Sequence, residues 1–363
     1  MRKFVSSTVL PGLLSIAAAA LLAGCSSSTP MITLGPGVPA SVKPATGYSV
    51  FVFAGPSAAG KAKSPDSIIL SGTNVFVGYG NGLNPDGTVP GTTSQGKSTI
   101  IQFDTSGNVI KTFSVTGHND GLLAFDSATI WAMSNEDSNP ILTVINLTGG
   151  FQTEYTPATP LLHGGGLDDM QKIGSTVYAS ASNPTLNPDG SVVPAPAVVA
   201  ISLNAVGQTF NVKPILQNNA TATNIVTGAT VTLNLTDPDS EATDPNGNLV
   251  LDSQADSELV FVQNVGTGTQ AAQVLPLTLG GTPTQVDDTR WVPKGLGPFM
   301  LFTDTSANTI YRVNGNAVFK AGDAYTASNG TINQILKLDP KTGDLTTIID
   351  GLGSPHGMVF LLP

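Results

Sequence analysis

Three histidines and a set of aspartates hold most of the chemistry this sequence can offer. His118 lies in "TGHNDGLLAF", His163 in "LLHGGGLDDM" and His356 in "GSPHGMVF", each just ahead of, or at the start of, an apolar strand-like run. Aspartates take the same kind of position: Asp66 in "SPDS", Asp120 in "GHND", Asp169 in "LDDM", Asp239 in "DPDS" and Asp288 in "VDDT". A histidine with an ordinary pKa near 6.5 can act as a general base at neutral pH, which makes His356, His118 and His163 candidate catalytic residues. Several carboxylates brought together repel, and a cation or a shared proton relieves the repulsion. A hard ion such as Ca²⁺ or Mg²⁺ prefers oxygen ligands, so Asp66, Asp120, Asp169, Asp239 and Asp288 form a candidate metal ring. The same residue types also cap backbone N–H groups and shape turns at strand starts, and that structural reading stands beside the functional one.

Only a repeating fold would bring such scattered positions together. Charged residues make up 11% of the chain, there are 40 glycines and 26 prolines, and the apolar residues come in short β-branched runs. Turn clusters such as "SGTN", "TSGN", "DPNGN" and "DPKTG" separate those runs, and no long stretch has helical periodicity. This is an all-β pattern. "VFVGYGNGLNPDG" from Val75 is answered by "VYASASNPTLNPDG" from Val177, and a shorter related unit, "IWAMSNEDSNPILTVIN", lies between them. "LVLDSQADSELVFVQN" and "MLFTDTSANTIYRVN" follow. Hairpin units of about 50 residues are the size of a four-stranded β-propeller blade.

The sequence therefore predicts a β-propeller over residues 47–363, with six four-stranded blades. Five blades enter near Asp66, Asp120, Asp168, Asp239 and Asp287. The sixth is built from "NQILKLDPKTGDLTTIID", "HGMVFLLP" and "YSVFVF", so that both termini contribute to one sheet and leave no free edge. The start of each innermost strand would then face one mouth of the channel, where the aspartates and His356 would gather. Trp131 and Trp291 fall within strand patterns and are read as packing residues between blades. The two "LNPDG" inserts are turns by chemistry.

"TDPDSEATDPNGNLVLDSQADSELVFV", with its "DPNG" turn and its strand ending in Asp252, resembles the repeat of NHL-type and SMP-30-like propellers. "GSPHGMVF" resembles the blade entry of the same group. The SMP-30-like resemblance implies a channel-mouth cation held by Glu, Asn and Asp, and a hydrolase or lactonase activity. No blade entry here presents the expected Glu, so those ligands do not transfer residue by residue. The "PHG" entry also resembles streptogramin lyases. Two further motifs fail: "DPDSEATDPNGN" has Ala242 where a calcium loop needs Gly, and "GPSAAGKAKS" lacks the Ser or Thr of a phosphate loop.

The N-terminus gives an address. Arg2 and Lys3 precede an apolar segment ending in "LLAGC", which is similar to a bacterial lipoprotein signal peptide. The resemblance implies removal of residues 1–24, lipidation of Cys25, and attachment to the cell envelope, with Ser26 directing the protein to the outer membrane. Residues 25–46 then read as the lipidated cysteine and a flexible tether reaching about 25 Å. Cys25 is the single cysteine, so no intramolecular disulfide can form. The formal net charge of −10 becomes more negative once Arg2 and Lys3 are removed. Such a chain is a poor partner for nucleic acid and for anionic lipid surfaces, which leaves the lipid as the membrane contact. Three functions remain open: a monomeric module binding a protein or a small molecule, a Ca²⁺- or Mg²⁺-dependent hydrolase or lactonase, and a lyase.

Overall fold

The computed structural model describes residues 33–315 and 318–363. The signal peptide and Cys25 lie outside the described residues. Among the described residues the structure is all-β, with a single helical turn, Pro56–Ala59, in the "GPSAAGKAKS" connection.

Each sheet is mostly antiparallel and ends in a strand at the centre of the molecule: Pro65–Ser71, Asn119–Asp126, Met170–Ile173, Pro238–Thr243, Thr289–Trp291 and Pro355–Leu361. These strands contact one another in a closed round, with the last against the first. Two of the contacts require glycine. A Cβ on Gly121 would lie 2.3 Å from the Asp168 carbonyl oxygen, and one on Gly357 would lie 2.6 Å from that of Asp66. The glycine that follows Asp120, and the one that follows His356, thus lets the neighbouring central strand pass close by.

The second strand of each group lies between two neighbouring sheets. Leu249–Ser253, Phe299–Asp304 and Ala324–Ser328 are buried along their whole length, and apart from Asp252 and Asp304 near the strand ends they are built from apolar or small residues. Outer strands such as Val109–Thr116 face water on one side and alternate. Among the described residues, apolar clusters join successive sheets in a closed circuit. Phe76 shares a cluster with Ala132, Met133 with Val177, Val198 with Leu249, Val250 with Leu336, Tyr325 with Tyr311, and Leu301 with Val77. The core is therefore a ring of sheet-to-sheet interfaces around an axis, the architecture of a β-propeller. Hydrogen bonding defines five sheets. The eight-stranded one consists of two antiparallel four-stranded runs, joined only where Gln152–Pro157 meets Thr209–Gln217 in parallel.

The first and last described strands enter one sheet, in the order Thr33–Leu34, Ser49–Ala54, Thr309–Asn314, Phe299–Asp304, Pro355–Leu361. Its other members correct the sequence reading. The hairpin Phe299–Asp304/Thr309–Asn314 leaves the sheet begun by Thr289–Trp291 and joins the terminal strands. The hairpin Gln334–Leu338/Asp344–Asp350, assigned to the closing blade, instead pairs with Ala324–Ser328 and thence with Thr289–Trp291. The central strand Thr289–Trp291 has only three residues, and the glycine-rich segment after it carries the chain across to the next sheet.

Part of the expected tether is also folded. Thr33–Leu34 pairs with Ser49–Ala54, Lys43–Pro44 pairs with Asp344–Asp350, and Val42 joins the core. These residues cover the otherwise open edges of two sheets.

Candidate functional site

Central strands that start at one end of the molecule bring their first residues to one mouth. Asp66, Asp120, Asp169, Asp239 and Asp288, far apart in sequence, line a single cavity of about 140 Å³. Asp168, Asp287 and Glu136 add three more carboxyls, and Arg290, His356, Gln254 and Asn329 complete its polar wall.

Arg290 supplies the positive charge in this wall. Its guanidinium pairs with Asp288, lies 3.6 Å from Asp169, and donates to the main-chain oxygens of Glu241 (3.2 Å) and Thr289 (3.1 Å). Asp288 also accepts from the Met358 amide, and Asp169 accepts from the Glu241 amide at 3.1 Å. These contacts tie four central strands together, Met170–Ile173, Pro238–Thr243, Thr289–Trp291 and Pro355–Leu361. Burial pushes the Asp288 carboxyl up to about 6 even though Arg290 pulls it down. Burial likewise raises Asp169 against the same arginine.

Of the other carboxyls, Asp120 has the His118 ring against it, whereas Asp168, Asp239 and Glu136 have no cation in contact among the described residues. Burial holds Asp168 and Asp239 well above the carboxylate range, and their side chains hydrogen-bond to each other. Glu136 is raised by burial and then by Asp120 and Asp168. Deeper in, neither oxygen of Asp252 has a hydrogen-bond partner among the described residues. Burial, with Asp287 and Asp288 nearby, raises its pKa well above the ordinary carboxylate value.

The histidines separate. His356 reaches the cavity wall: its Nδ1 lies 2.9 Å from both the Ser354 oxygen and Thr305 Oγ1. Its Nε2 lies 2.9 Å from Asn329 Nδ2 and 3.6 Å from Asp287 Oδ2. Asn329 in turn donates to Asp287 at 2.6 Å. Burial lowers the His356 pKa, but Asp287 and Asp66 outweigh it and the net shift is upward.

His118 stands behind Asp120, with Nδ1 on the carboxyl and the ring against Gly80. Burial pulls it down, yet Asp120, Asp66 and Asp168 lift it to about 9. His163, the third candidate catalytic histidine of the sequence, does not line the cavity. It is buried, its Nε2 lies 2.6 Å from the Gly166 oxygen, and its own carbonyl accepts from the Thr185 amide and hydroxyl. It pins two surface loops, and burial lowers its pKa.

The sequence reading missed Glu136, Gln254, Asn329 and Arg290. The first three follow the second strand of a hairpin, which ends at the same mouth where the central strand begins. Aligning hairpin ends as well as blade entries would have found them. Arg290 lies two residues after Asp288 on a strand, hence on the same face.

The wall donors have the right chemistry for a hard cation. They are nevertheless dispersed: among the described residues no three His, Cys, Asp or Glu side chains converge as metal ligands. An ion would require the side chains to regroup.

No protein-family model matches the chain, and no curated protein matches it. Solved structures do. A streptogramin B lyase structure aligns with a TM-score of 0.46 at 14% identity, covering 85% of this chain and 90% of its own. A protein of unknown function from Bacteroides caccae aligns at 0.45 and 9%, covering 82% and 87%. A luciferin-regenerating enzyme aligns at 0.37 and 12%, covering 72% and 81%. At these values the similarity concerns the course of the chain and assigns neither activity nor ligand.

Proposed function

We propose that this chain is a cell-envelope lipoprotein, held at the outer membrane through Cys25, whose six-bladed propeller is a binding module for a small cationic group. The six-blade count rests on reading the eight-stranded sheet as two blades. The observation that carries the binding reading is the cavity wall, where eight carboxyls face one arginine and one histidine in about 140 Å³. Such a site is short of positive charge and has room for a few waters, a hydrated ion or an ammonium head group.

Titration calorimetry against CaCl₂, MgCl₂ and a diamine, with NaCl at matched ionic strength as control, tests this. The expected result is saturable heat with one of the three, weakened at least tenfold in Asp169→Asn and Asp239→Asn. Heat no different from NaCl for all three would refute it. A Ca²⁺ or Mg²⁺ response without a diamine response would identify the inorganic cation.

A second reading, hydrolase or lyase chemistry, is favoured by His356, whose ring is oriented by Ser354, Thr305 and Asn329 and backed by Asp287. A base so oriented can take a proton from a water or from a substrate carbon at the cavity wall. A panel of lactones and phosphoesters, with His356→Gln as control, tests turnover. Inactivity across the panel, unchanged by added Ca²⁺ or Mg²⁺, would leave the binding reading alone.

A further inference from the structure

The short strand Thr289–Trp291 carries Asp288 toward the acidic cavity at one end and Trp291 toward the opposite face of the molecule at the other. There, a cleft of about 520 Å³ opens between the "DPNGN" turn and the neighbouring sheet. Its wall differs in kind from the axial cavity. Phe261 and Trp291 meet edge to face, with ring centroids 6.4 Å apart, and Trp291 remains partly exposed in the cleft. The indole N–H has no hydrogen-bond partner among the described residues.

Around the rings stand five side-chain amides, each with part of its capacity already used in a fixed way; Asn224 Oδ1 accepts from the Val226 and Thr227 amides at 3.0 Å. Asn246 and Asn248 donate their Nδ2 groups to Asp244 at 3.3 and 2.8 Å, which leaves both Oδ1 atoms free to accept. Gln263 donates to Gln273 at 3.0 Å, leaving Gln263 Oε1 as an acceptor and Gln273 Nε2 as a donor. The one carboxyl in the wall, Asp244, has its oxygens occupied by four hydrogen bonds from its own turn, including the Asn246 and Asn248 amides at 2.8 and 2.9 Å. The cleft therefore offers an aromatic surface, free donors and acceptors held in place, and no charged group in need of a counter-ion. A cleft of similar size beside Pro157 and Pro160 has neither aromatic rings nor this set of amides.

We propose that this cleft is a binding site for a neutral saccharide. Sugar hydroxyls are paired donors and acceptors that match side-chain amides, and the apolar C–H face of a pyranose packs on an aromatic ring. Trp291, read from its strand pattern as a packing residue, then has two roles: one face of the indole belongs to the core between sheets, and its N–H edge serves the ligand. The proposal is independent of the cation reading, because the two sites share no side chain.

The test uses the intact protein in detergent and its intrinsic fluorescence, since the chain has only two tryptophans. Trp131 stacks flat on Phe125 at 4.7 Å within another sheet and should not respond. The probes are cellotetraose, maltotetraose, mannotetraose, chitotetraose and glucose, with glucosamine and glucuronate as charged controls. At least one neutral tetrasaccharide should shift the Trp291 emission, with a Kd below about 1 mM. Trp291→Phe and Gln273→Ala should each weaken binding measured by calorimetry about tenfold, while Trp131→Phe leaves it unchanged. Folding of each variant is checked by its melting curve. Binding of glucose as tight as that of the tetrasaccharides would identify a single-unit site, and tighter binding of the longer sugars a glycan site. The proposal is overturned if no neutral probe binds with a Kd below about 1 mM. It is equally overturned if binding survives both cleft variants, or follows the charge of the sugar.

Discussion

Replacing Arg290 gives the sharpest test of how the cavity is held together. Arg290→Met removes the cation from Asp288, which is 2% exposed, and from Asp169, which is 7% exposed, but keeps most of the side-chain volume. Leaving a buried carboxylate without its partner costs about 3–5 kcal/mol. At about 2 °C per kcal/mol for a chain of this size, the melting temperature at pH 8 should fall by roughly 6–10 °C. The loss should depend on pH, and its sign follows from Asp288. The folded pKa of about 6 lies above the ordinary value of 3.8. The contribution of Asp288 to stability is thus complete at low pH and is lost as pH rises through about 6. Without Arg290 that pKa rises further, so at pH 5 Asp288 is a neutral acid and little charge is stranded. The cost at pH 5 then shrinks to the lost hydrogen bonds to Glu241 and Thr289, about 1–3 kcal/mol. Adding Asp288→Asn to Arg290→Met should recover much of the loss at pH 8. Calorimetric melts of the three proteins at pH 5 and pH 8 decide the matter. An equal loss at both pH values, or no recovery in the double variant, would refute the reasoning.

Four further outcomes are expected. Glu258 is pushed up to about 7 by burial and then by Asp256, so its contribution is full below about 4.5 and is lost as pH rises through 7; Glu258→Gln should match the parent at pH 4 and exceed it by about 2–3 kcal/mol at pH 8 in denaturant unfolding. The His118 ring should titrate near 9 by NMR, its stabilisation present below 6.5 and lost as pH rises through 9, and Asp120→Asn should bring that pKa down by more than one unit. Gly357→Ala places a methyl group against the Asp66 and Ile68 backbone and should lower stability by about 1–3 kcal/mol, read as a lower melting temperature. Cys25→Ser should abolish incorporation of labelled palmitate and release the protein from the membrane fraction.

The fold was legible because its signals are local. Turn clusters and β-branched runs mark strands, and the echo of "VFVGYGNGLNPDG" in "VYASASNPTLNPDG" marks a repeating unit. Trp131 is stacked on Phe125 within the core, where its strand pattern placed it. The partner choice of the last hairpins was not legible. Phe299–Asp304 and Gln334–Leu338 are both apolar strands of hairpin units, and only the short Thr289–Trp291 strand and the crossing after it decide which sheet each joins. The folded part of the expected tether escaped for a related reason. "TLGPGVPASVKPAT" has linker composition, and its order comes from sheet edges contributed by residues far along the chain.

The sequence by itself determined which residues begin the central strands, since a strand start is a local event marked by a polar turn followed by an apolar run. That was enough to put Asp66, Asp120, Asp169, Asp239 and Asp288 in one ring once the repeat was recognised. Tertiary structure alone decided what the ring became. It set Arg290 between Asp288 and Asp169, placed Asp168 against Asp239, backed His356 with Asp287, and took His163 away to pin two surface loops. The physical reason is distance. Charge pairing, hydrogen bonding and burial depend on separations of a few ångströms between residues tens to hundreds of positions apart, and only the closed round of sheets sets those separations.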